Sequence, residues 1–206
     1  MSDAVPMQFA LTLPPEEVAR ANFYGLLARL FYAPPDANLL QAIASAGDEF
    51  DTDDGEEGIG AAWQALSRAC AEADPEAVRE EFETAFIGTG KAPVTLYTSA
   101  YTIRYSNEAP LADLRGELRA LGLGRRDEVS EPEDHIAALC EVMRHLVAEQ
   151  KRDLEEQKRF FEKWLLPAVE PLCAAIRDSD ATAFYKTVGH FANRFFLIEH
   201  SAFEML

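Results

Sequence analysis

Cysteine is scarce: the 206-residue chain holds three, Cys70, Cys140 and Cys173, odd in number, far apart, each inside an apolar pattern. That excludes a disulfide framework and a C-x-x-C metal site, and predicts buried thiols in a reducing compartment. Positive charge is short as well, with 19 Lys and Arg against 36 Asp and Glu, a formal net charge of -17. Nucleic-acid phosphate and anionic membrane surfaces would be repelled, whereas a basic peptide or protein segment would be attracted. Long apolar runs are missing, so no stretch reaches the roughly 18 residues that span a bilayer, and no stable membrane insertion is expected. The opening "MSDAVPMQFALTLPPEE" has no basic region ahead of an apolar one, unlike a secretory signal, which makes the cytoplasm the expected compartment. Sustained alternation of β-branched residues is absent too, and with it the case for strands.

What the sequence does have is a 3.6-residue period. "PPEEVARANFYGLLARLFYA" predicts a helix with Glu16 and Glu17 in its first turn, ended by Pro34-Pro35. A short helix over 36–46 follows, with Asp36 as N-cap and Gly47 as stop. The acidic, glycine-rich "GDEFDTDDGEEGIG" predicts a surface loop. Helices resume over 59–73 and 75–87, with Pro75 at the first helical position. From Gly88 to Thr95 the chain predicts a loop, then a short helix that lines up Tyr97, Tyr101 and Tyr105. Further helices are expected over 111–121, 132–150, 154–176 (kinked near Pro167 and Pro171) and 181–204. The predicted fold class is therefore all-α, a bundle of about ten helices. It forms one unit over residues 1–206, in which an N-terminal half (residues 1–121) and a C-terminal half (residues 132–206) are joined by a linker over 122–131.

Several sites fail on spacing. With Gly55 at position 6 of a calcium loop, Phe50 and Ala61 fall where acids are required. "GTGK", Gly88 to Lys91, has one residue between its glycines, not four, and Ala92 after the lysine. A carboxylate-bridged dimetal bundle needs Glu-x-x-His, which does not occur, and Glu131/His135 and Glu141/His145 are spaced i, i+4. Ser99 lies in no Gly-x-Ser-x-Gly elbow. No metal and no cofactor are expected.

"SEPEDHIAALCEVMRHL" gathers the most ionisable groups. Ser130 as N-cap, Pro132 in the first turn and Glu133 at N3 would make a capping box. Asp134 and His135 are left over, directly before the apolar stripe Ile136, Leu139, Val142, Met143, Leu146. His135 then needs a partner, either Glu131 or a backbone group of the preceding linker. Three readings of the pair stay open: a structural lock between linker and helix, a helical hydrolase or metal-binding bundle, or a place in a non-catalytic oligomeric scaffold. Adjacent residues on a helix point about 100° apart, which is poor geometry for an acid-base pair.

The same residues carry a resemblance. "EPEDHI" resembles the E-x-P-x-D-H hinge motif of the TorD/DmsD/NarJ family of redox-enzyme maturation chaperones. Upstream, "EFETAFIGTGKAPVTLYTSAY" is similar to the family's aromatic-x-x-L-F-x-G-x-G stretch leading to P-Y-x-S-x-Y, with Leu96 in place of the proline. The resemblance implies an all-helical cytoplasmic chaperone, not an enzyme and without a cofactor of its own. Its implied partners are the catalytic subunit of a molybdopterin oxidoreductase and that subunit's basic N-terminal twin-arginine signal peptide, with monomer and homodimer both open. It maps Phe86, Gly88, Tyr97, Ser99 and Tyr101 onto the first motif and Glu131, Pro132, Asp134 and His135 onto the second, as peptide-binding or hinge residues. On this reading Asp134 accepts a hydrogen bond from a peptide arginine or from a group shaping its pocket. Phe86, Tyr97, Tyr101 and Tyr105 receive apolar side chains of the peptide.

Overall fold

The computed structural model describes residues 13–47, 55, 58–88, 91–103, 109–125, 131–148 and 153–206. Over these the chain is all-α: α1 (Pro15–Tyr32), α2 (Ala37–Ser45), α3 (Ile59–Glu72), α4 (Pro75–Phe82), α5 (Ser99–Thr102), α6 (Pro110–Ala120), α7 (Ile136–Ala148), α8 (Leu154–Phe160), α9 (Leu166–Asp178) and α10 (Phe184–Glu204). The predicted starts of α2 and α4 hold, each behind an Asp cap. Asp36 accepts from the Leu39 N–H at 2.8 Å, and Pro75 opens α4 behind the Asp74 cap. Two five-residue π turns interrupt the ladder, Glu83–Ile87 after α4 and Phe161–Leu165 between α8 and α9. The second stands where Pro167 led us to expect a kink. Proline offers no N–H to the preceding turn, and the widened turn absorbs the mismatch.

Two halves that the sequence separates share one core. α1 packs along α7, and α3 packs on α10. Phe23 and Tyr24 of α1, Trp63 of α3 and Phe191 and Phe195 of α10 form one ring cluster, with centroids 4.8–5.7 Å apart in the contacts Phe23–Trp63, Phe23–Phe195 and Tyr24–Phe195. Each such ring, once buried, contributes about 1.5–3 kcal/mol. The three cysteines are buried and unpaired. Burial raises the Cys70 and Cys173 thiols to about 12, and the Cys140 thiol further, which leaves them protonated and unreactive. Among the described residues, no helix is long and apolar enough to cross a membrane.

Polar contacts invisible in the sequence fix how the halves meet. Glu199, 2% exposed, accepts from Arg20 at 2.7 and 2.8 Å and from the Tyr24 hydroxyl at 2.8 Å. Its charge is tolerated in the core because each oxygen has a donor. Glu81 serves as the N-cap of α10 from a hundred residues away. Its carboxylate accepts from the backbone N–H groups of Ala183, Phe184 and Tyr185 at 2.8–2.9 Å. That explains why α10 starts at Phe184 and not near Ala181, since the first turn needs an acceptor that its own flank does not supply. Glu81→Ala should lower unfolding free energy by about 1–2 kcal/mol, read as a reduced urea midpoint, with α10 amides the first to gain hydrogen exchange; an unchanged midpoint would show that water replaces the cap.

Candidate functional site

The two sequence motifs meet at a single antiparallel bridge between Tyr97 and His135. The Ile136 N–H donates to the Leu96 carbonyl at 2.8 Å, and the Thr98 N–H donates to the Asp134 carbonyl at 2.9 Å. These bonds flank the pair without involving it, the arrangement in which opposed side chains come closest. Tyr97 and His135 accordingly stack edge to face, with ring centroids 5.3 Å apart. Thr98 adds a hydroxyl bond to the same Asp134 carbonyl at 3.1 Å.

The bridge corrects two helical expectations. Tyr97 is held extended, so the tyrosines are not lined up on one helix: α5 is a single turn that holds Tyr101, and Tyr105 lies outside the described residues. On the other side, residues 132–135 form a tight turn closed by the His135 N–H on the Pro132 carbonyl at 3.1 Å, and α7 begins at Ile136. The expected capping box therefore does not form around a helix starting at Pro132. Ser130 lies outside the described residues, and Glu133 pairs with Arg115 at 3.0 Å, which holds its carboxyl below the usual carboxylate range. The cap of α7 is His135 itself. Its Nδ1 accepts from the Ala137 N–H at 3.2 Å, which makes the ring neutral with its proton on Nε2.

Asp134 and His135 turn to different partners. Asp134, 6% exposed, accepts through Oδ2 from the Ser99 hydroxyl at the start of α5. It braces the joint between the motifs, and its side chain does not line the adjoining cleft. Tyr97 donates through its hydroxyl to Oε2 of Glu131, and that bond, with burial, raises the phenol to about 12. Tyr101, half-buried, donates to the Thr95 carbonyl at 2.8 Å and steadies the loop from within. Gly88 closes the first π turn, with its N–H on the Glu83 carbonyl at 2.7 Å and its backbone at φ +61°, ψ 162°. Only glycine adopts that conformation readily, and a Cβ there would lie 3.1 Å from Cα of Ala92. Phe86 stands apart from the bridge, its ring on Phe82 and Tyr185 at 5.2 and 4.8 Å.

Beside the bridge opens a cleft of about 700 Å³. α1 supplies Ala28, Arg29 and Tyr32, the end of α6 and its exit supply Leu118, Leu123 and Arg125, and α7 supplies Ala137, Ala138 and Val142. Glu131, Glu133 and His135 form its wall. Sequence reasoning reached this wall and missed the floor, because α1 lies a hundred residues away. The visible hint was Tyr32, an exposed aromatic at the end of α1. Among the described residues no group of three or more His, Cys, Asp and Glu side chains converges as a metal would require.

The family model for the nitrate reductase delta subunit matches residues 52–174, a stretch that contains both motifs. The chain belongs to that family, the TorD/NarJ group of redox-enzyme maturation chaperones. It is 28% identical to the chaperone protein TorD of Shewanella loihica over 189 residues, 84% of this chain and 88% of that one. It is 31% identical to TorD of Photobacterium profundum over 111 residues, 48% of this chain and about half, 51%, of that relative. A solved structure of a candidate redox enzyme maturation protein from Archaeoglobus fulgidus shares the fold, with a TM-score of 0.56, 21% identity and coverage of 96% and 99% of the two chains. Within the family's E-x-P-x-D-H spacing, the glutamate position counted back from Pro132 is Ser130. Glu131 therefore sits one residue late.

Both the histidine cap and the glycine turn can be tested. Burial holds the His135 pKa below its usual 6.5, against the pull of Glu131 and Asp134. A base with a lowered folded pKa is protonated first in the unfolded chain, so its contribution is whole above pH 6.5 and drains as pH falls from there through the folded value. Melting temperature should therefore fall more steeply below pH 6.5 in wild type than in His135→Asn, which keeps a cap acceptor; parallel curves would sink the assignment. Gly88→Ala should cost about 1–3 kcal/mol, measured by chemical denaturation; a loss within error would show that the loop relaxes.

Proposed function

We propose that the protein is a cytoplasmic chaperone that binds the apoprotein of a molybdopterin oxidoreductase, its basic N-terminal signal peptide included, and holds it for cofactor insertion before export or assembly. The observation that carries this reading is the cleft where the two family motifs are tied together. Its lining sets Leu118, Leu123 and Val142 beside the carboxylates of Glu131, Glu133 and Glu141, with Arg29, Arg125 and Arg144 among them, so that it offers an extended peptide both apolar and charged contacts. The net charge of -17 draws such a peptide toward the surface. The chaperone performs no covalent step. Asp134 bonds to Ser99, and His135 accepts a backbone N–H, so neither is poised as an acid or base for a substrate.

In this reading the linker over 122–131 is the joint between the N-terminal and C-terminal halves, and the bridge keeps that joint closed. Asp134 and Ser99 act by holding the bridge, while the cleft beside it contacts the client. Affinity capture with the tagged protein from anaerobically grown cells should recover a molybdopterin oxidoreductase subunit, identified by mass spectrometry and lacking its cofactor. Failure to recover that subunit from cells that express it would overturn the proposal.

A further inference from the structure

His135 sits in an arrangement that only its neutral ring can keep. Nδ1 accepts from the Ala137 N–H at 3.2 Å and so caps α7. The backbone of the same residue pairs with Tyr97, whose ring lies edge to face on the imidazole at 5.3 Å and whose hydroxyl donates to Glu131. A second proton on the ring has to go to Nδ1. There it turns the cap acceptor into a donor aimed at another donor, and the first turn of α7 loses its partner. The imidazolium so formed stands beside Glu131 and Asp134, whose charges favour it. Asp134 is buried against Ser99, whereas Glu131 borders the cleft and has room to turn to the cation, which takes it from Tyr97. Further charged groups line the same cleft: Arg29 of α1, Arg125 beyond α6, and Arg144 and His145 of α7. Glu133 and Glu141 are in ion pairs with Arg115 and Arg144 at 3.0 and 2.8 Å. Of the three side chains at the bridge, Tyr97, Glu131 and His135, the imidazole is the one whose ordinary pKa, 6.5, lies near neutrality.

Resting on the function proposed above, we propose that His135 is an acid-sensitive latch: protonation of its ring undoes the bridge to Tyr97, opens the joint between the two motifs and releases the client held beside it. The neutral ring closes the latch through the α7 cap, and Glu131 is the positioning residue that draws the charged ring away from it. Burial holds the imidazole below its usual 6.5 while the joint is closed. The opened joint therefore binds the proton more tightly, and acid shifts the population toward it. One proton is involved, so the opened fraction rises at most about tenfold for each pH unit below 6.5, until the closed form takes the proton too.

Amide hydrogen exchange of the full chain, corrected for the intrinsic effect of pH on exchange, is followed from about pH 7.5 to about pH 5.5. In wild type, protection of the Thr98, Ile136 and Ala137 amides should fall about tenfold while the amides of α3 and α10 hold. His135→Asn keeps an acceptor for Ala137 and has no titrating ring, so its protection should stay flat. Glu131→Gln removes a carboxylate that favours the protonated ring, so the loss should begin at lower pH. The imidazole resonances of wild-type His135 should titrate with the same midpoint as the loss of protection, a check that needs no variant. Client loaded at neutral pH should leave wild type in acid and stay on His135→Asn. The latch is overturned if His135→Asn opens as wild type does, if α3 and α10 lose protection together with the bridge, or if wild type keeps its client in acid. Failure to load any client at neutral pH would bring down the function proposed above and the release step with it, whereas a flat exchange profile in wild type overturns the latch alone.

Discussion

Two backbone hydrogen bonds, Ile136 to Leu96 and Thr98 to Asp134, hold the candidate site together. Closing a loop of 36 residues costs roughly 3 kcal/mol beyond a constant, and each intramolecular hydrogen bond returns about 0.5–1.5 kcal/mol. The backbone pair alone, worth about 1–3 kcal/mol, falls short of the cost of closure. The side-chain bonds of Thr98 and Ser99 to Asp134, and of Tyr97 to Glu131, bring the joint into balance. This is why the polar residues of the two motifs belong together: each closes a loop that the others make worth closing. In an otherwise helical chain the bridge also sets where helices stop, because a residue committed to a cross-chain pair cannot lie in a helical ladder.

Much of the fold was legible. A 3.6-residue period, prolines at helix starts and Asp caps located α1 to α4 to within a few residues, since those determinants are local. Failures came where a distant group supplied what the local sequence lacked. α10 starts three residues later than its pattern suggested because its cap is Glu81. α7 starts at Ile136 and not at Pro132 because the residues between serve a turn and a bridge. Capping signals read from a linear string assume that an N–H is satisfied by its neighbours, and at both of these places it is not.

The site was legible in its wall and not in its roles. The crowding of Glu131, Glu133, Asp134 and His135 marked a segment that borders the cleft, yet spacing could not say which of these side chains line it. Asp134, for which a peptide arginine and a group shaping its pocket were both open as donors, accepts from Ser99, while Glu131 and Glu133 line the cleft. His135, a candidate acid or base, is a helix cap whose accepting nitrogen is already engaged. The pattern picked out the segment, and the fold shows which partner each side chain takes.

The carboxylate of Glu81 sits on α4, whereas the helix it starts is α10. Ownership of that terminus is thus split across the chain, and the last helix is not a transferable module. A chimera that exchanges C-terminal helices between relatives inherits a start site written elsewhere, and swapping α10 without its acceptor transplants a helix with an open end. The unit of inheritance here is the pair of segments, and comparison of this chain with its relatives is best made by matching such pairs before matching stretches of sequence.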